Sequence, residues 1–109
     1  MNRYCLALDL KDDPRLIAEY EHWHKGIWPE IRQSILDAGV VVMDIYRFNN
    51  RLFMIMETDS SFSFERKAAM DEANPKVQEW EQLMWKYQQG IPGAGQGEKW
   101  VLMEKMFSL

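Results

Sequence analysis

A chain of 109 residues is long enough for one domain with a hydrophobic core and too short for two. Hydrophobic residues make up 47% of the chain and charged residues 28%, which is ordinary for a globular protein and argues against disorder. The net charge of -4 argues against binding to nucleic acid or to an anionic membrane, because basic side chains supply most of that affinity.

The first part of the chain predicts a strand and two short helices. Apolar and polar residues alternate over residues 3–10, which is typical of a half-buried strand. Asp13 is a candidate N-cap for a helix over residues 14–24, which has proline at its first position. A second helix is expected over residues 29–38, with Gly39 at its C-terminal cap.

The second part predicts a hairpin, two more helices and a last strand. Residues 40–48 and 51–57 are rich in β-branched and aromatic side chains, and Asn49-Asn50 between them is a turn. Helices are expected over residues 62–73 and 75–89. A loop rich in glycine follows at residues 91–99, and a final strand is expected over residues 100–107.

This order of elements is β-α-β-β-α-β with each helical connection split in two. It predicts an α+β, ferredoxin-like fold, a four-stranded antiparallel sheet with helices on one face. Residues 40–43 and 52–56 are apolar at both alternating positions, so the second sheet face also needs a cover. A second copy of the chain is the simplest cover, which predicts a twofold homodimer in the form of a dimeric α/β barrel.

Cysteine content and hydropathy bear on location. Cys5 stands alone, so the chain has no intramolecular disulfide and no multi-cysteine metal site, which suits the reducing cytoplasm. The first ten residues read as a strand and lack the apolar segment of a signal peptide. No apolar run approaches the roughly 18 residues that predict a membrane span.

Tyr20 and His24 are the first candidates for a functional site. They are four residues apart and share a helix face with Ile17 and Ile27, so both titratable groups are expected to point inward. A lone histidine on an apolar face is either part of the core or functional, and this spacing leaves both readings open. His22 falls on the far side of the helix, so it is poorly placed to share a metal with His24, and no metal site is expected.

Glu81 and Asp44 are candidate carboxylates. Glu81 lies beside Trp80 at the edge of the inward face of the last helix, so it is either a surface residue or a group suited to proton transfer. Asp44 interrupts an apolar strand and has the same two readings. The 13% aromatic content fits core and dimer packing as well as stacking against the apolar face of a sugar.

Several of these residues together resemble the L-rhamnose mutarotase family over essentially the whole chain. The matching segments are Tyr20-x-x-x-His24, Ile27-Trp28-Pro29-Glu30, Ile45-Tyr46, Asn50-Arg51-Leu52-Phe53 and Trp80. The resemblance implies a cofactor-free, dimeric, ferredoxin-like enzyme that interconverts the α and β anomers of a 6-deoxyhexose. It also implies that His24 is the general acid and that Tyr20 and Trp80 bind the sugar.

The chain departs from the family pattern at two positions that line the family's sugar pocket. Met43 stands where rhamnose-type members have a tyrosine, and Glu81 stands where they have a second tryptophan. These departures leave both L-rhamnose and L-fucose as candidate substrates. Met43 and Glu81 are therefore expected to contact the monosaccharide.

Mutarotation fits these residues chemically, because it needs an acid and a base and no metal or nucleotide. His24 can play either part, and Glu81 is the candidate for a second proton-handling or hydroxyl-binding group. Two other functions remain open for a fold of this kind: a non-catalytic small-molecule binding or sensing dimer, and a cofactor-independent oxygenase.

Overall fold

The computed structural model describes all 109 residues and contains five strands and four helices. In chain order they are β1 (Asn2–Leu10), α1 (Pro14–Lys25), α2 (Pro29–Asp37), β2 (Val40–Phe48), β3 (Arg51–Thr58), α3 (Phe64–Glu72), α4 (Pro75–Trp85), β4 (Gln88–Gln89) and β5 (Val101–Leu102). None of the helices combines the length and the hydropathy required to cross a membrane.

Side-chain caps fix where α1, α3 and α4 begin, and α3 begins two residues after the predicted start at residue 62. The Asp13 carboxylate accepts a hydrogen bond from the backbone N–H of Arg15 at 2.9 Å, which confirms Asp13 as the N-cap of α1. Ser63 caps α3 and Asn74 caps α4 in the same manner. Gly39 follows α2 with a φ of 99°, a left-handed conformation that glycine adopts without a steric penalty.

All strands pair antiparallel in the order β2-β3-β1-β4, with β5 also paired to β1. This arrangement confirms the predicted ferredoxin-like fold. The last strand of that fold is in two pieces: β4 pairs with the end of β1 and β5 pairs with its middle. The segment between them, residues 90–100, leaves the sheet edge as a loop.

Two predicted boundaries are wrong at this edge. The helix expected over residues 75–89 ends at Trp85, because Gln88 and Gln89 instead pair with Leu10 and Asp9 of β1. The strand expected over residues 100–107 is limited to β5, followed by one further backbone hydrogen bond from Met103 N–H to the Cys5 carbonyl. Local sequence does not reveal how much of an edge strand finds a partner.

The hydrophobic core lies between the helices and one face of the sheet. The residues of β1 and β3 that point toward the helices are Leu6, Leu8, Leu10, Leu52, Met54 and Met56, and all six are buried. Tyr20, Trp80 and Met84 pack from the helical layer against Leu8, Leu10 and Leu52, while Leu6, Met54 and Met56 form a second cluster with Val40. Alternation along each strand then directs the intervening side chains to the opposite face.

That opposite face carries exposed apolar side chains. The sequence predicted this, because residues 40–43 and 52–56 are apolar at both alternating positions. On β2, Tyr46 is 58% exposed and Phe48 is 79% exposed. In the pairing register these two residues lie level with Phe53 and Arg51 of β3. Large apolar side chains exposed on one face of a sheet are typical of an interaction surface.

Candidate active site

The helical layer and the sheet enclose a cavity of about 360 Å³, which is within the usual range for small-molecule sites. Hydrophobic side chains make up 14 of its 21 lining residues. The lining includes Tyr20, His24, Met43, Trp80 and Glu81, all candidates from the sequence, but not the candidate Asp44. Tertiary folding therefore brings together residues from α1, β2 and α4, although their roles stay predictions.

His24 is held in one tautomer by a backbone contact on α1. Its Nδ1 lies 2.9 Å from the carbonyl oxygen of Tyr20. Because a carbonyl oxygen can only accept a hydrogen bond, Nδ1 carries the proton, and Nε2 of the neutral ring holds a free lone pair. Burial lowers the pKa of His24, and this effect outweighs the backbone hydrogen bond, which raises it. The imidazole is thus neutral at neutral pH.

Aromatic rings fix the orientation of His24. The Tyr20 ring lies 4.3 Å from the imidazole and the Trp80 ring lies 5.7 Å from it, measured between centroids. Trp80 is in turn held edge-to-face by Trp28, at 5.1 Å, and by Trp23, at 6.4 Å. These contacts restrict the imidazole to one position on the cavity wall.

Tyr20 is tied to the short strand β4. Its hydroxyl oxygen accepts a hydrogen bond from Nε2 of Gln88 at 3.2 Å. Burial raises the pKa of Tyr20 to about 12, against the opposing effect of that hydrogen bond. The phenol therefore stays protonated at neutral pH and acts as a hydrogen-bond donor rather than as a base.

Charged side chains that the sequence did not single out also line the cavity. Lys99 reaches it from the loop between β4 and β5, where its ammonium group contacts the backbone carbonyl of Glu81 at 3.4 Å. Burial lowers the pKa of Lys99, while the charge of Glu81 acts in the opposite direction. Lys67 and Asp71 of α3 form an ion pair at 2.6 Å on another part of the wall.

The structure separates the two candidate carboxylates. Glu81 is half-buried and lines the cavity. Asp44 pairs in register with Ile55, on the sheet face directed away from the helices, and its side chain is exposed. Asp44 is therefore remote from His24, and His22 is exposed on the outer side of α1, as predicted.

The sequence did not identify four further residues that line the cavity, namely Gln88, Lys67, Asp71 and Lys99. Gln88 was assigned to a helix, where its spacing indicated only an inward-facing position. Lys67 and Asp71 have the spacing of an ordinary surface ion pair, and Lys99 follows a glycine-rich loop. No local pattern distinguishes Lys67, Asp71 and Lys99 from solvent-exposed residues.

Comparison with known proteins gives consistent matches over all or most of the chain. A family model described as L-rhamnose mutarotase matches residues 3–109. The chain is 42% identical to an L-fucose mutarotase of Xanthomonas campestris pv. campestris over 111 aligned residues, which covers 100% of this chain and 89% of the relative. It is 34% identical to an L-rhamnose mutarotase of Phocaeicola vulgatus, which covers 84% of this chain and 80% of the relative.

A solved structure has a similar fold. The crystal structure of an L-rhamnose mutarotase from Formosa agariphila superposes with a TM-score of 0.73 at 20% sequence identity, covering 100% of this chain and 99% of that one. At this identity the superposition supports the fold.

Proposed function

This chain belongs to the L-rhamnose mutarotase family and is a sugar mutarotase, an isomerase, and we propose that it interconverts the α and β anomers of a 6-deoxyhexose through ring opening. The observation that carries the catalytic part of this proposal is the state of His24. Its Nδ1 is occupied by the Tyr20 carbonyl, so Nε2 is the nitrogen available for proton transfer in an apolar cavity.

The reaction needs two coupled proton movements. The anomeric hydroxyl loses a proton, the ring oxygen gains one, and the bond between C1 and the ring oxygen breaks to leave an aldehyde. Rotation about the C1–C2 bond followed by the reverse steps gives the other anomer. Because both oxygens are bonded to C1, Nε2 of His24 can take the proton from one and return it to the other.

We assign His24 as the acid/base, first as the base that its neutral form allows and then, once protonated, as the acid. Proton transfer by a positioned side chain accelerates reactions by about 10²–10⁴-fold. The half-buried Glu81 is the proposed second proton-handling group, which also accepts a hydrogen bond from a sugar hydroxyl. Trp80 offers an apolar surface to the sugar ring and Tyr20 donates a hydrogen bond to it.

L-fucose is the substrate that we favour over L-rhamnose. The relative that matches over the full chain at 42% identity is an L-fucose mutarotase, while the L-rhamnose mutarotase is 34% identical over a smaller part. Met43 and Glu81 both line the cavity, so the two departures from the rhamnose-type pattern act where the sugar binds.

The test is a side-by-side measurement of anomer exchange for the two sugars by saturation-transfer NMR, with and without protein. Faster exchange of L-fucose than of L-rhamnose is expected. No acceleration of either sugar would contradict the proposal, and saturable binding without acceleration would instead identify a non-catalytic sugar-binding protein.

We also propose that the protein is a homodimer. The exposed apolar sheet face with Tyr46 and Phe48 is the proposed contact, and pairing two such faces forms a dimeric α/β barrel with one cavity on each outer side. The apolar C-terminal residues Met106 and Phe107 are also exposed in the single chain, which adds to the surface that a second copy would cover.

A further inference from the structure

One buried polar atom, on a residue that lines the cavity, has no hydrogen-bond partner. Gln88 is only 5% exposed, and its Nε2 donates to the Tyr20 hydroxyl, but its Oε1 accepts no hydrogen bond. Buried side-chain oxygens are nearly always paired in folded proteins, so an unpaired one calls for a physical explanation. The only other unpaired buried side-chain atom is Oγ1 of Thr58, which does not line the cavity.

The hydrogen bond between Gln88 and Tyr20 determines what the two groups can offer a ligand. Because the Tyr20 oxygen accepts the Gln88 N–H, the phenolic proton is free to be donated elsewhere. The free Oε1 belongs to the same amide as that N–H, so a donor and an acceptor lie next to each other on two residues that line the cavity. An alcohol is the group that both accepts and donates, so this pair matches one hydroxyl.

Neither member of the pair is suited to proton exchange. An amide does not titrate in the physiological range, and the Tyr20 phenol stays protonated. The matched hydroxyl is therefore one that is bound during the reaction rather than the one that reacts. In a 6-deoxyhexose the hydroxyls that do not react are those at C2, C3 and C4.

We propose that Gln88 determines substrate specificity by accepting a hydrogen bond from one non-reacting sugar hydroxyl, to which Tyr20 donates. L-fucose and L-rhamnose differ in configuration at C2 and C4 and agree at C3. A contact that separates the two sugars therefore engages the C2 or the C4 hydroxyl. This inference rests on the proposed function for the identity of the ligand and adds the residue that selects it.

The experiment couples a change in the protein to a change in the sugar. Dissociation constants of L-fucose and its 2-deoxy, 3-deoxy and 4-deoxy analogues are measured by NMR titration for the wild type and for Gln88→Met, which keeps the side-chain length. Gln88→Met is expected to weaken L-fucose binding by about threefold to tenfold, the worth of one hydrogen bond. For either the 2-deoxy or the 4-deoxy analogue the substitution is expected to have no effect, because the partner hydroxyl is already gone.

Thr58→Val is the matched control, since it removes the other unpaired buried oxygen at a position outside the cavity. It is expected to leave all four dissociation constants unchanged. Tyr20→Phe provides a second test that does not depend on the folding of Gln88→Met. In this variant too, the dissociation constant should not depend on whether the sugar carries the hydroxyl that the same analogue lacks. Thermal unfolding of each variant shows that the fold is retained.

An equal loss of affinity for all four sugars on Gln88→Met would overturn the inference, as would coupling to the C3 hydroxyl alone. The wild-type exchange rate for L-fucose is measured in the same samples. If the wild type accelerates anomer exchange but the effect of Gln88→Met on binding does not depend on a sugar hydroxyl, this inference alone is refuted. If that dependence is found but the wild type does not accelerate anomer exchange, the mutarotase proposal alone is refuted.

Discussion

Replacing His24 by Asn removes the proposed catalytic nitrogen while keeping the structural one. The Asn side-chain amide places its nitrogen close to the position of Nδ1, so it can still donate to the Tyr20 carbonyl, which lies 2.9 Å from Nδ1 in the wild type. Asparagine has no counterpart of Nε2. The substitution thus separates proton transfer from the anchoring of the side chain.

The expected effect on catalysis is much larger than the effect on stability. Loss of the acid/base lowers the enzyme-dependent exchange rate by about 10²–10⁴-fold. The ring contacts with Tyr20 and Trp80, at 4.3 and 5.7 Å, are also lost. Together they are worth about 1–3 kcal/mol. Small domains have a total stability of about 5–15 kcal/mol, so the variant is expected to fold.

Saturation-transfer NMR on the anomeric protons of L-fucose measures the exchange rate, with the spontaneous rate subtracted. His22→Asn is the matched control, because His22 carries the same side chain on the exposed side of the same helix, and its activity is expected to equal that of the wild type. If His24→Asn kept more than about a tenth of the wild-type acceleration, His24 would not be the acid/base.

Three further predictions concern pH, backbone conformation and assembly. Because burial lowers the pKa of His24 in the folded state, the unfolded chain binds more protons below about pH 6.5, so stability falls as the pH drops below that value and is unaffected above it. Urea unfolding at pH 5 to 8 should show a steeper loss at low pH in the wild type than in His24→Asn, and equal slopes would contradict the lowered pKa. Gly39→Ala should cost more than about 1 kcal/mol in thermal unfolding, because φ is 99° and the added Cβ would lie 2.5 Å from Oδ1 of Asp59. Gly26→Ala, where the Cβ meets nothing within 4 Å, is its control, and equal losses at the two sites would refute the steric argument. Phe48→Glu should convert a dimer into a monomer in analytical ultracentrifugation, while a monomeric wild type would disprove the proposed assembly.

Local sequence was sufficient for most of the fold, because the relevant forces act over a few residues. Asp13 and Pro14 start α1 through side-chain and backbone effects within a single turn. Alternation in β1 identifies the two faces of the sheet, since successive side chains point to opposite sides. The spacing of Tyr20 and His24 likewise placed both on one helix face before any tertiary contact was known.

Only the tertiary structure decided how the sheet edge and the cavity wall are completed. Gln88 belongs to a strand because β1, nearly eighty residues earlier in the chain, offers it a hydrogen-bonding partner, and no local preference encodes that partner. The same pairing turns Gln88 toward Tyr20, and the loop that follows brings Lys99 to Glu81. A cavity is formed by segments distant in sequence, so the polar residues that line it are identified only when those segments pack together.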